Sequence, residues 1–216
     1  MPLRKGRRKY YDYFSSFYDV FIKIHSRRHG DTTRSFLAKA SNQEGNLHPR
    51  ILDLCCGTGD VLLSFARQYP GSFNIGFDFS RGMLAQACRK TTDTGISFVQ
   101  GDAAILPFTD DSFDVVTCSH AFYELKGEER KNSLLEMKRI VHENGVVLLM
   151  EHAVPKNPVL KILFYIRMFI MGSADAREFV KGGIEPFRNI FPGVSLTHTP
   201  SEKSKLIICR KTAVSR

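Results

Sequence analysis

Apolar residues recur at spacings of three and four near the N-terminus: Tyr10, Tyr11, Phe14, Phe17, Tyr18, Phe21 and Ile22 fall on one helical face. Gly30-Asp31 predicts a break, with Asp31 capping a second helix through Ala40. Ser41–Pro49 is polar and reads as a loop, and there the period changes. Ile51–Cys55 is a short apolar run ending at Gly57-Thr58-Gly59, and Val61–Gln68 reads as a helix. Phe73–Phe77 predicts a strand closing at Asp78, and Ser80 is placed to cap a helix ending near Lys90. Ile96–Val99 and Phe113–Cys118 predict two more strands, the first followed by Gly101-Asp102. Glu128–Val141 reads as a helix with acids in its first turn and bases in its last, as the helix dipole prefers. Val146–Met150 is uninterrupted apolar sequence, which suits a strand buried on both faces.

Strand and helix therefore alternate about five times between Ile51 and Met150, the pattern of a doubly wound, Rossmann-like α/β fold around a parallel sheet. A helical region over Val159–Phe179 and two strands, near Val194–Thr197 and Lys205–Cys209, complete seven strands. The 216 residues are 43% hydrophobic and 25% charged, which excludes a disordered or fibrous chain. No run approaches the ~18 to 20 apolar residues of a spanning helix, and no apolar segment follows the basic N-terminus as in a secretory leader. Cys55, Cys56, Cys88, Cys118 and Cys209 fit no zinc spacing and are expected to be reduced thiols of a cytoplasmic protein; no metal site is expected.

The formal charge is +9, distributed as +7 over residues 1–50, −5 over 51–155 and +7 over 156–216. Two basic ends flank an acidic middle, and they suit anionic lipid, nucleic acid or an anionic substrate, or serve solubility alone.

In open parallel sheets ligands bind beyond the carboxyl ends of the strands. Here the first strand ends in Asp53-Leu-Cys-Cys-Gly57-Thr58-Gly59. The dinucleotide fingerprint G-x-G-x-x-G fails at Leu62, and no Gly-Lys-Ser/Thr follows to cradle a pyrophosphate. Instead acids stand at successive strand ends. Asp78 is placed to accept from both ribose hydroxyls, and Asp102 from an adenine amino group. Each acid alone could be a turn residue; the three together beside the glycines suggest a ligand with ribose, adenine and a cationic end but no phosphate, namely S-adenosylmethionine.

Ile51-Leu-Asp-Leu-Cys-Cys-Gly-Thr-Gly-Asp60 resembles motif I of the class I S-adenosylmethionine-dependent methyltransferases. Gly76–Leu84 and Gly101–Val116 are similar to the segments that follow it, and the wording is nearest the ubiquinone/menaquinone C-methyltransferase branch. The resemblance covers residues 10–152, including Phe14–Phe21, and implies a seven-stranded sheet with an antiparallel last strand and helices on both faces. The chain is accordingly expected to carry a basic helical cap over 1–45 and a methyltransferase domain over 46–216, with 155–185, which contains the apolar Val159–Met171, as a helical lid. It implies that Cys55, Gly57, Thr58 and Gly59 line the methionine moiety, with Asp53 supporting its ammonium. Asp78 would hold the ribose with Phe79 and Met83 nearby, Asp102 and Ala103 would meet the adenine, Ser119 would form the floor and Tyr18 would close the site. Ala104 stands where the branch often carries Glu, and the C-terminal third matches weakly, leaving the acceptor open.

Methyl transfer is an in-line displacement, so the protein mainly aligns the partners and excludes water. A base is needed only where the nucleophile must lose a proton, and His120, Tyr123 and His152, all just beyond strand ends, are the candidates. Val159–Met171 is apolar except for Lys161 and Arg167: either a buried helix on the sheet edge, or a lid over a lipophilic acceptor (a quinol or phospholipid) that touches an anionic membrane. The alternatives are methylation of nucleic acid such as tRNA, which the basic ends favour, and a catalytically silent cofactor-binding scaffold. S-adenosylhomocysteine is the expected product of turnover.

Overall fold

The computed structural model describes residues 8–13, 15, 30–43, 45–171 and 183–212. Seven strands follow in chain order: β1 Arg50–Leu54, β2 Phe73–Asp78, β3 Ser97–Gln100, β4 Phe113–Ser119, β5 Val141–His152, β6 Gly193–His198 and β7 Ser204–Arg210. They form one sheet in the order β3-β2-β1-β4-β5-β7-β6. Every pairing from β3 to β5 is parallel, and β7 runs antiparallel to both β5 and β6. The expected doubly wound sheet with an antiparallel last strand is therefore present. The strand order reverses beside β1, where β1 lies between β2 and β4.

Alternation along the strands sorts side chains to two helical layers. Leu52, Leu54, Val116, Val147 and Leu149 meet Leu134, Met137 and Ile140 of α4 (Gly127–Ile140) and Phe187 of α6 (Glu185–Arg188). On the other face Ile51, Val115, Val146 and Leu148 meet Leu37 of α1 (Gly30–Ala40), Leu62 and Phe65 of α2 (Asp60–Gln68) and Leu84 of α3 (Arg81–Lys90). Leu62 and Phe65 are fully buried, each worth about 1.5–3 kcal/mol of transfer free energy.

Gly76 of β2 is a close-approach position: a Cβ there would lie 2.5 Å from the Phe98 ring and 2.8 Å from Cys56 Sγ. Gly76→Ala is expected to cost about 1–3 kcal/mol of overpacking strain, seen as a lowered midpoint in denaturant unfolding.

Several boundaries differ from the sequence reading. α1 begins at Gly30, ahead of the expected Asp31 cap. β5 starts at Val141 rather than Val146; its register shifts between Phe113 and Val115 of β4, so the turn-like His142–Gly145 is carried within the strand. Residues 8–13 and 15 are helical, whereas Phe14, Phe17, Tyr18, Phe21 and Ile22 lie outside the described residues. Within the anticipated lid, α5 spans Pro158–Met171, and 172–182 lie outside the description. Of the two readings of α5, full burial is excluded. Phe164 packs against the core, but Val159, Ile162, Leu163 and Ile166 are 64%, 61%, 55% and 49% exposed. Their spacing puts them on one helical face.

Candidate active site

The parallel strands end on one edge, and the loops leaving them carry the site. After β1 the chain enters the left-handed region at Cys55 (φ 56°), Gly57 (φ 53°) and Gly59 (φ 80°), and Gly59 caps α2. The loop is pinned to β2: Cys56 N–H donates to the Phe77 carbonyl at 3.1 Å, and Gly57 N–H donates to Asp78 Oδ2 at 2.9 Å. From the helix side Lys90 donates to Thr58 Oγ1 at 2.9 Å and to Asp60 at 2.7 Å, and Arg34 pairs with Asp60 at 3.0 Å. Thr58 is buried and its hydroxyl is engaged with Lys90, so it braces the loop from behind. Behind the glycines the thiols of Cys55 and Cys118 meet, and that bond together with burial pushes Cys118 up, away from thiolate chemistry.

Asp53 and Asp78 flank this loop, both buried. Asp53 Oδ1 has no hydrogen-bond partner among the described residues. Its carboxyl is held well above the usual range by burial, then by the charge of Asp78, with Arg34 opposing. Asp78 accepts from Gly57 N–H and, at 2.8 Å, from Ser80 N–H, yet burial lifts it to about 6. An orphaned, desolvated acid beside a second raised acid fits a cationic ligand, whose charge would offset that desolvation. A carboxylate offers about four acceptor positions. Asp78 takes the amides of Gly57, Ser80 and Phe79, leaving an acceptor position for a ribose hydroxyl.

Asp102 sits after β3, where it accepts from Ala104 N–H at 3.0 Å. Its loop is held by α4: Leu106 N–H donates to Glu136, and Arg139 donates to the carbonyls of Leu106 and Phe108. Ala103 and Met83 are buried. Phe79 stands half-buried with its ring 5.8 Å from Tyr11, edge to face.

The N-terminal helical residues cross this edge. Asp12 Oδ1 accepts from Ser80 Oγ at 2.6 Å and from Gly82 N–H at 2.9 Å, an anion at the start of α3. Tyr11 donates to the Glu124 carboxylate at 2.6 Å, in the 3-10 turn Phe122–Glu124 beyond β4. The segment is thus tied to the loops on both sides of the switch point. Tyr18, the expected closing residue, lies outside the described residues; Tyr11 is the aromatic seen over Phe79. The signal was present in Tyr11-Asp12, the same dipeptide as Tyr18-Asp19.

The base candidates gather just beyond β4 and at the end of β5. The His120 and His152 ring centroids are 4.5 Å apart, and Tyr123 lies 6.0 Å from His152. His120 has φ 54° and donates its backbone N–H to the Met150 carbonyl at 2.7 Å. Its Nδ1 lies 3.1 Å from Ser119 Oγ and its Nε2 3.0 Å from Ser204 Oγ. Beneath them, fully buried Glu151 accepts from Tyr123 N–H at 3.2 Å through Oε1, while Oε2 has no partner among the described residues. Burial pushes Glu151 up to about 8, with Lys205 opposing. Ser204, on the terminal hairpin, had no signal in the sequence, because its role exists only through the β5–β7 pairing. Among the described residues no group of His, Cys, Asp and Glu is placed to hold a metal ion, and no helix is long and apolar enough to cross a membrane.

The methyltransferase domain family matches residues 51–145. Demethylmenaquinone methyltransferase of Lactobacillus johnsonii is 38% identical over 63% of this chain and 57% of its own length. That of Staphylococcus saprophyticus is 34% identical over 74% of this chain and 70% of its own. The chain spans 57–66% of the length of the first relatives it matches. A solved structure described as the DhpI-SAH complex superposes with a TM-score of 0.63 at 18% identity, covering 95% of each chain, a likeness of fold. A glycine loop held by Asp78, with buried Asp53 beside it at the switch point of this sheet, together with these relatives, places the chain in the class I S-adenosylmethionine-dependent methyltransferase family, to which it belongs.

Proposed function

We propose that the chain transfers the methyl group of S-adenosylmethionine to a small lipophilic acceptor of the quinol class, releasing S-adenosylhomocysteine. The observation that carries this reading is the sharing of one sheet edge by two unlike groups of residues. Asp53, Asp78 and the Gly57–Gly59 loop are suited to a cation with a ribose. His120 and Tyr123, just beyond β4, meet His152, the last residue of β5, where an acceptor hydroxyl would be deprotonated. Gly57, Gly59, Asp53 and Cys55 would hold the methionine end, Asp78, Phe79 and Met83 the ribose, Asp102 and Ala103 the adenine, with Thr58 bracing the loop and Ser119 on the floor. Bound there, S-adenosylmethionine supplies a methyl group on a sulfonium; the protein aligns the acceptor and excludes water.

The demethylmenaquinone methyltransferases among the relatives support a quinol acceptor. So does the exposed stripe Val159-Ile162-Leu163-Ile166 on α5, the helix that leaves the acceptor end of β5. With Lys156 and Lys161 beside it, the stripe suits peripheral contact with an anionic membrane, from which a lipophilic acceptor would enter. The test supplies methyl-labelled S-adenosylmethionine with a demethylmenaquinol and, separately, a crude cell extract. Label is expected in the organic phase. Label confined to nucleic acid would reject the quinol reading and make the basic ends the substrate surface; cofactor binding without any label would leave only a scaffold.

A further inference from the structure

Resting on that reading, we infer that Ser119, His120 and Ser204 form a proton relay in which His120 is the base, Ser119 passes it the acceptor's proton, and Ser204 is a positioning residue that sets its tautomer and basicity. The three come from different parts of the chain: Ser119 ends β4, His120 follows it, and Ser204 opens β7, the strand beside β5. Each imidazole nitrogen has a serine hydroxyl within hydrogen-bond distance, at 3.1 Å and 3.0 Å.

The arrangement is built rather than incidental. His120 holds a left-handed backbone, φ 54°, which costs a residue with a Cβ on the order of 1–3 kcal/mol unless its surroundings enforce it. The surroundings are its N–H bond to Met150 and the Ser204 contact. Ser204 is itself fixed: it is buried, its N–H donates to Thr199 Oγ1 at 3.2 Å, and its carbonyl accepts from Thr199 N–H at 2.9 Å. The fixed backbone carries Ser204 Oγ to Nε2, and in this relay that hydroxyl accepts there, which sets the Nε2–H tautomer.

The step balances as follows. Neutral His120 carries its proton on Nε2 and donates it to Ser204 Oγ, leaving Nδ1 to accept from Ser119. The acceptor's hydroxyl proton passes to Ser119 Oγ as the Ser119 proton passes to Nδ1. The acceptor becomes an oxyanion and His120 an imidazolium. The new bond to methyl uses the acceptor's electron pair, and the S–CH3 pair stays on sulfur. For methylation on carbon, the ring C–H proton goes to water and His120 returns its proton through Ser119 to the oxygen. For methylation on oxygen, the imidazolium gives its proton to water.

Among the described residues, His152 at the end of β5 faces His120 directly, with Tyr123 and Glu124 of the 3-10 turn beyond β4 near it, while Glu151 and Lys205 are paired residues of β5 and β7 on the opposite face of the sheet. Ser204 accepts more strongly from imidazolium than from neutral imidazole, so it raises His120 basicity. Removing it lowers that basicity.

The test compares the full chain with Ser204→Ala and Ser204→Thr, using demethylmenaquinol as acceptor over about pH 5 to 9. Ser204→Ala is expected to lower kcat about 10-fold, part of the ~100-fold or more that a positioned base supplies, and to move the acidic limb of kcat to lower pH. Cofactor KM stays unchanged, the melting temperature falls by no more than the loss of one buried hydrogen bond accounts for, and Ser204→Thr restores both kcat and the limb. An unchanged kcat and limb in Ser204→Ala overturns the relay, as does a fall in kcat that tracks a fall in melting temperature without moving the limb. The functional reading fails separately, if the parent chain methylates nothing. The relay is then read by NMR of ring-labelled histidine, assigned with His120→Gln: a lowered His120 pKa in Ser204→Ala supports it and an unmoved one overturns it.

Discussion

Asp78→Asn is expected to weaken S-adenosylmethionine binding about a hundredfold while the sheet still folds. Asp78 receives Gly57 N–H on one oxygen and Ser80 N–H on the other. The amide of Asn has one acceptor oxygen, so one of those donors is left unmet and the glycine loop loosens where the cofactor approaches. The substitution also removes a negative charge from a site whose proposed ligand is cationic. Losing a hydrogen bond to a charged group costs about 1.5–3 kcal/mol, and about 2.7 kcal/mol is a hundredfold in Kd. The pH dependence gives a second check. Burial holds Asp78 near 6 in the free protein, and the ligand's cation and ribose donors favour the ionised form. The parent's affinity therefore falls as pH drops through about 6, with a proton released on binding at and below that pH, and Asp78→Asn removes this component of the dependence. Calorimetric titration in buffers of different ionisation enthalpy measures both. A full-affinity Asn variant would reject the cofactor site assigned to this edge.

Glu151→Gln is expected to stabilise the chain by a few kcal/mol in mildly alkaline solution and by almost nothing near pH 4.5. Glu151 is fully buried, and its pKa is raised from 4.5 to about 8, first by desolvation. Below the unfolded value both states hold the proton and the residue contributes no pH dependence. Between 4.5 and about 8 the unfolded chain releases a proton that the fold retains, so stability declines by about 1.4 kcal/mol per pH unit from this group. Above that window the loss is complete. Gln keeps an acceptor for Tyr123 N–H and has no proton to lose, so the variant escapes the decline. Urea unfolding of parent and variant across the window measures the difference. Parallel stability curves would mean that Glu151 is ionised in the fold and sits in a polar setting.

The buried acids also explain how the edge divides its work. Asp53 and Asp78 sit either side of the glycine loop at the switch point and invite positive charge. Glu151 accepts from the N–H of Tyr123, and burial raises it to about 8, which favours the protonated form at neutral pH. Tyr11 and Asp12 tie the N-terminal helical residues to both regions through Glu124 and Ser80. A change in the β4 loop is thereby coupled to the start of α3 through one segment.

Much of this protein was determined by the sequence alone. The apolar runs and their alternation with helical periods set the sheet and the direction of its first five strands, and placed three acids at successive strand ends, because these depend on local period and on residues within a few positions of each other. The extent of β5 was hidden, since His142–Gly145 reads as a turn and only pairing with β4 absorbs it into a strand. The exposure of the α5 stripe was undecided, because an apolar helix has the same pattern in a core as on a surface. Ser204 next to His120, Tyr11 on Glu124 and Asp12 on Ser80 were invisible as pairs, being 84, 113 and 68 residues apart. Such contacts exist only once strand order brings distant loops to one edge, and the protonation of Glu151 follows the same rule: a carboxyl keeps its proton because of what surrounds it in space.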